Sequence, residues 1–425
     1  MRKNLKHPSA FYTNTCFVHF FSFLFILFLH QIACNKADAQ YTVPVELSRI
    51  DSTQGNLQLG PVRLHPLFAI SEIFDNNIFD TPDDEKSDFI TMYSPGIKLF
   101  LPIRGMKSEF SVSYLANFLE YRENPDEGRM EQYVDGSWKT VLPRGLGITL
   151  HNRFEDTEIP PTFDSIYGEL IQRTSRRSNY FTSTVALPNY FARFDSELSY
   201  SNNDHQYDAF EGSSYNEQKI GTRLTYKLLT KLDTLAELNF GKTSYDTNVI
   251  SDSVFYESLV GLQWKETAKT TGNFKIGYRV RDYEEEGFDQ FNGVVFSLES
   301  KTQFDTLTNF SVLLRRSQEE TFLPSNRGFY ELNSIYVTFT RKLTGKIDAS
   351  LANYYQLIDF PAIQGQTSDT EVFAWGFRTS IDYKIQKWLF TGLSYWYEDR
   401  ESSSDDSEDR GRKKNVITFT IGAAF

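Results

Sequence analysis

Along most of the chain, apolar residues fall at every second position. In residues 414–425, Ile417, Phe419, Ile421, Ala423 and Phe425 are apolar, and Thr418, Thr420, Gly422 and Ala424 between them are small or weakly polar. Ile220, Leu224, Tyr226 and Leu228 alternate with Lys219, Arg223 and Lys227. Phe274, Ile276, Tyr278 and Val280 alternate with Lys275, Gly277, Arg279 and Arg281. Phe373, Trp375, Phe377, Ile381, Tyr383 and Ile385 oppose Arg378, Asp382 and Lys384. A period of two puts each set on its own side of a pleated strand.

The connections alternate in length. Tight ones are expected at Arg104-Gly105, Pro143-Arg144-Gly145, Pro188-Asn189, Thr230-Lys231, Ala268-Lys269, Asp305-Thr306, Thr344-Gly345 and Gln386-Lys387. Long polar ones are expected at 76–87, 123–130, 157–178, 202–213, 246–251, 284–288, 321–328, 360–370 and 401–411. Nine long and eight short connections join eighteen strands, or sixteen if residues 131–142, where alternation is poorest, do not contribute. Even strand counts, short periplasmic turns and longer outer loops are the pattern of an outer-membrane barrel. Lys or Arg facing lipid at the midplane costs roughly 2–4 kcal/mol, so the charged faces must turn to the lumen. The expected fold is all-β: a transmembrane, antiparallel, up-and-down barrel over residues 62–425. A soluble β-sandwich also has one inner face per sheet, but it does not account for the loop alternation together with an export signal.

That signal is at the start. Arg2, Lys3 and Lys6 precede the apolar stretch 17–29, and Ala37-Asp38-Ala39 has the form of a cleavage site, so residues 1–39 read as a signal peptide. A lipid-attachment reading at Cys34 is weaker, because Gln31 stands where such sites carry Leu. Cys16 and Cys34 are the chain's two cysteines, so cleavage leaves no disulfide or thiolate chemistry. Residues 40–61 read as a short periplasmic extension. At 22 residues it is too small for the plug of a TonB-dependent transporter, whose barrel has about 22 strands.

Composition narrows the picture. Aromatics make up 16% of the chain, with 37 Phe and 24 Tyr, which disordered chains lack. The net charge of −12 opposes nucleic-acid binding. Acids crowd into connections, as at 83–85, 284–286 and 405–409, and read as solvated loops. Outer-membrane lipid and lipopolysaccharide are the expected surroundings. The candidate lumen residues are Lys98, Arg153, Arg193, Lys219, Arg223, Lys227, Lys275, Arg279, Arg281, Arg315 and Arg378. Read one way, they make a basic pore that concentrates anions. Read the other way, they are paired with acids on a wetted wall. No H-x-x-x-H, calcium-loop or G-x-S-x-G pattern occurs after residue 39, so no metal, cofactor or enzymatic activity is expected. Of the three histidines there, His65, His151 and His205, only His205 reads as lying in a loop at the outer rim.

The stretch with Pro66, Ser71-Glu72, Phe74, Asp75-Asn76-Asn77, Ile78 and Phe79 resembles the opening strand and loop of the second family of beta-barrel porins. That resemblance implies an outer-membrane barrel, with relatives in exopolysaccharide operons. It therefore implies polysaccharide or periplasmic export proteins as partners. It also implies that Phe419, Ile421, Ala423 and Phe425 form the terminal signal read by the barrel-assembly machinery, on a strand that closes the cylinder against 62–74. Two functions follow: a porin-like channel for hydrophilic solutes or a polysaccharide, or a structural or adhesive barrel acting through its loops. Residues 157–178 are the expected constriction loop.

Overall fold

The structure is a computed structural model. It describes residues 57–103, 107–158, 175–191, 193–208, 214–247, 250–267, 269–284, 290–320, 329–361, 370–403 and 411–425. The expected signal peptide, most of the expected extension, the core of 157–178 and the acidic run 404–410 lie outside the described residues. The strands are β1 (Leu57–Leu59), β2 (Val62–Asp75), β3 (Asp88–Ile103), β4 (Lys107–Tyr121), β5 (Arg129–Val141), β6 (Gly147–Thr157) and β7 (Arg176–Phe191). They continue with β8 (Phe194–Tyr207), β9 (Tyr215–Leu229), β10 (Leu232–Tyr245), β11 (Ser253–Thr267), β12 (Thr270–Tyr283) and β13 (Phe291–Gln303). The last are β14 (Thr308–Glu320), β15 (Phe329–Lys342), β16 (Ile347–Phe360), β17 (Thr370–Lys384), β18 (Leu389–Ser402) and β19 (Arg412–Ala424).

Strands β2 to β19 pair with their chain neighbours, antiparallel throughout, and β19 returns to β2. The result is an eighteen-stranded closed barrel. β1 adds a three-residue hairpin to the foot of β2, turning at Gly60 with φ 61°. No helix among the described residues is long and apolar enough to cross a membrane; the strands themselves cross. Closure pairs every strand from β2 to β19 on both sides, as a barrel in lipid requires.

Register carries one parity around the whole wall. Phe68, Ile70, Leu224, Leu238, Val260, Ile276, Ile381, Phe419 and Ile421 all fall on the outer face and are exposed. The residues between them fall on the inner face. The weakly alternating segment 131–142 is a full strand, β5, because its ladders to β4 and β6 run nearly its whole length.

Two local expectations are corrected. Pro188-Asn189 is not a turn: β7 runs on to Phe191, and the ladder to β8 slips between Leu187 and Phe191. A proline has no N–H for the ladder, so it sits at the irregularity instead of ending the strand. His205 is not in a loop. β8 extends through the polar stretch to Tyr207, and His205 is an inward, buried strand residue. Its ring stacks on Tyr215 at 4.7 Å and meets the edge of Tyr180 at 5.2 Å.

Candidate functional site: a charged lumen wall

Ten of the eleven candidate cations stand at inner-face positions. Lys98 pairs in register with His65, Arg153 with Asp135, Lys219 with Ser201, and Arg223 with both Glu197 and Glu237. Lys227, Lys275, Arg279, Arg281, Arg315 and Arg378 share that parity through successive ladders. Arg193 does not: it lies in the turn after β7, exposed, because β7 is longer than its proline suggested.

Most of these cations face acids. Lys227 meets Asp195 at 3.1 Å. Arg223 meets Glu237 at 2.6 Å and Glu197 at 3.7 Å, and Lys275 shares Glu237 at 3.0 Å. Arg279 meets Glu257 at 2.8 Å, and Arg153 and Arg315 pair with Glu155 and Glu319. His151 bonds Asp135 at 2.7 Å. The mutual pairing anticipated as the plainer reading therefore describes much of the wall. Lys98 and Lys219 make no ion pair among the described residues.

At mid-height the inner face is wettest along β5 to β9, while nearer the short turns Glu109, Glu299 and Lys384 are also well exposed. On β5 to β9, Asp135, His151 and Arg223 keep 43%, 42% and 40% of their side-chain surface exposed. On β2 to β4 the inner residues Ser71, Met92, Ser94 and Asn117 are fully buried, and on β15 to β17 so are Leu332, Ile358 and Ala374. Arg281 belongs with the sealed side. It points inward but is 1% exposed, so it does not line water.

At the outer rim the Asp75-Asn76-Asn77-Ile78 stretch ties the closing seam together. Lys414 of β19 reaches Asp75 at 3.1 Å and Asp80 at 2.7 Å. Arg412 reaches Glu398 at 3.2 Å and Asp80 at 3.6 Å. Asn76 N–H donates to Asn415 O at 3.1 Å, and Asn415 N–H donates back to the Asn76 side chain. Asn77 folds the loop by donating to Thr81 O at 2.7 Å and accepting from Thr81 N–H at 3.0 Å. Asp80 takes φ 55°, a left-handed conformation that Asp tolerates better than most residues. Ile78 is then pressed onto Ile73, Ile90, Met92, Leu119 and Tyr121. Burial raises the Asp80 carboxyl, but Lys414 and Arg412 outweigh it and hold the group below its ordinary value.

At the other end, Phe425 N–H donates to Pro66 O at 3.0 Å, and its ring stacks on Trp388 at 5.5 Å. Phe419, Ile421 and Ala423 share its outward parity.

The family comparison agrees with this architecture. Residues 54–422 match the model of the family described as "Putative beta-barrel porin 2", and the chain belongs to that family. It is a porin-type outer-membrane β-barrel. No curated protein matches it. Among solved structures, it is similar to OccK2 (OpdF) of Pseudomonas aeruginosa, with 10% identity, TM-score 0.47, and 88% and 100% of the two chains covered. It is also similar to OccAB3 of Acinetobacter baumannii, with 9% identity, TM-score 0.47, and 86% and 99% covered. OccK3 (OpdO) of Pseudomonas aeruginosa gives 9% identity, TM-score 0.45, and 85% and 95% covered.

Proposed function

We propose that the barrel is a passive channel whose water lane runs along the inner faces of β5 to β9. The observation that carries this is the half-exposed state of Asp135, His151 and Arg223 inside a closed wall. Charged groups inside a lumen keep that much surface only where water reaches them. Because most cations there are paired, the lane discriminates weakly by charge, and Lys219 supplies its modest preference for anions. Hydrophilic solutes fit such a lane, and so does an extended polysaccharide chain of the kind suggested by the family's operon context.

Reconstitution into a planar bilayer tests this. Ohmic single-channel steps are expected, with a small anion preference in a KCl gradient that falls in Lys219→Gln. Reproducible absence of current would overturn the channel and leave the structural or adhesive barrel. Block of the current by a soluble polysaccharide, and not by a monosaccharide, would mark the polymer as cargo.

A further inference from the structure

The β13–β14 ladder is interrupted. It holds eight residue pairs, from Gln303↔Asn309 to Phe296↔Arg316, and stops, although both strands continue. Had it gone on in register, Val294 would stand opposite Gln318. Instead, the outer half of β14, still laddered to β15 and through it to β16, moves inward from β13. Gln318, Glu320 and Phe329 carry the outer-face parity of their strands. Their side chains nevertheless meet inner-face residues of β10 to β13. Glu320 accepts from Tyr245 Oη at 2.8 Å and Thr243 Oγ1 at 3.3 Å, and it pairs with Arg281. Gln318 Oε1 accepts from Arg281 Nε at 3.2 Å. The Phe329 ring lies 6.0 Å from Tyr283 and 5.7 Å from Phe291. An outer face can touch the inner face of β10 only if the hairpin lies inside the barrel.

The break is finished chemically on both sides. Arg316 Nε donates to Val294 O at 3.2 Å, and Arg279 Nη1 donates to Gln318 O at 2.9 Å. Val294 O and Gln318 O, two of the carbonyls freed by the missing ladder, are thus each capped by a guanidinium, which offsets the cost of leaving those acceptors unpaired.

We infer that the outer ends of β14 and β15, at residues 317–320 and 329–331, form the constriction of this channel, set inside β10 to β13 and latched to β10 and β12 by Glu320 and Arg281. It narrows the outer half of the barrel to the lane along β5 to β9. The inference rests on the channel reading for its effect on current, but not for its geometry.

Two paired-cysteine variants with the native Cys16 and Cys34 replaced separate these. In the outer membrane, Thr243→Cys with Glu320→Cys should be joined by a short bifunctional thiol reagent, and Val294→Cys with Gln318→Cys should not. The reverse pattern, or no link in the first pair alongside efficient labelling of both thiols, overturns the inward fold. In bilayers, Glu320→Gln and the milder Tyr245→Phe should loosen the latch, raising single-channel conductance up to about twofold, with the larger rise in Glu320→Gln. Unchanged conductance in both overturns the constriction. A wild-type barrel that cross-links as expected yet passes no current refutes the channel and the constriction while keeping the fold.

Discussion

Two seams of this barrel have short ladders, and they are finished in opposite ways. β19 and β2 pair over nine residues, and β13 and β14 over eight. Above the β19–β2 ladder the strands stay together, because Lys414, Asp75, Asp80, Asn76 and Asn415 carry the connection into the loop. Above the β13–β14 ladder the backbones part, and Arg316 of β14 caps Val294 O of β13 while Arg279 of β12 caps Gln318 O of β14. The first arrangement adds side-chain pairs to strands that stay adjacent. The second makes their separation tolerable. A barrel wall can therefore be closed or opened locally with the same residue types, depending on whether the cation joins an acid cluster between strands that stay adjacent or takes the place of a lost ladder partner at a backbone carbonyl.

The sharpest way to break this comparison is at Lys414. Lys414→Ala leaves Asp75 and Asp80 without their shared ammonium in a buried rim. Removing one partner of a buried ion pair costs about 3–5 kcal/mol. Urea unfolding of the detergent-folded barrel, followed by its gel-mobility shift, should show a loss of that size. Lys384→Ala at the exposed Asp348 pair should change stability by about 0.5 kcal/mol or less. Equal losses at the two sites would mean that the clasp contributes no more than a surface pair. The clasp also has a pH signature. The Asp80 carboxyl is held below its ordinary value of 3.8, so its contribution is complete above that pH and is lost as pH falls through the lower, folded-state value. Acid destabilisation below about pH 4 should be smaller in Asp80→Asn than in wild type.

Much of this was visible in the residues, and the limits have physical causes. Alternation at a period of two, with turns of unequal length, is local information, so eighteen strands and the inward parity of Lys219, Arg223 and Lys227 could be read directly. The Asp75-Asn76-Asn77 stretch could be recognised, but not its job, which depends on Lys414, more than 300 positions away. Arg281 has the same alternating signature as Arg223, and only the bend of β14, itself unmarked by glycine or proline, places it under a hairpin instead of beside water. Polar Asn202 to Tyr207 looked like a loop because hydrophilic strands that face tyrosines inside a barrel carry no apolar stripe.

A smaller effect is expected at the parted seam. Arg316→Ala strands Val294 O and leaves Glu331, its ion-pair partner, alone on the outer face. An uncapped acceptor costs about 1–3 kcal/mol. The same urea assay should place this variant between wild type and Lys414→Ala. If Arg316→Ala lost as much as Lys414→Ala, the cap would be holding the seam as strongly as the clasp does, and the contrast drawn above would fail. Val294→Pro gives an independent check. It removes a strand N–H that has no ladder partner on β14 but that the ladder of an intact seam would use, so it should be tolerated far better than a proline at Ser300, inside the paired half.

The smallest energetic effect belongs to the foot of the closing seam. Phe425 stacks on Trp388, and such aromatic pairs contribute about 0.5–1.5 kcal/mol beyond their buried area. Phe425→Ala and Trp388→Ala should therefore lower stability by similar small amounts. Their effects on assembly should differ if the terminal aromatic is also a signal. Trp388→Ala removes the stacking partner and keeps Phe425, so outer-membrane levels should hold. Phe425→Ala removes the residue that the assembly machinery is expected to read, so levels should fall well beyond what the stability loss explains, with unchanged conductance in the molecules that insert. Equal levels in the two variants would reduce Phe425 to packing. A fall in Phe425→Ala alone would show that the strand closing the cylinder also directs its insertion.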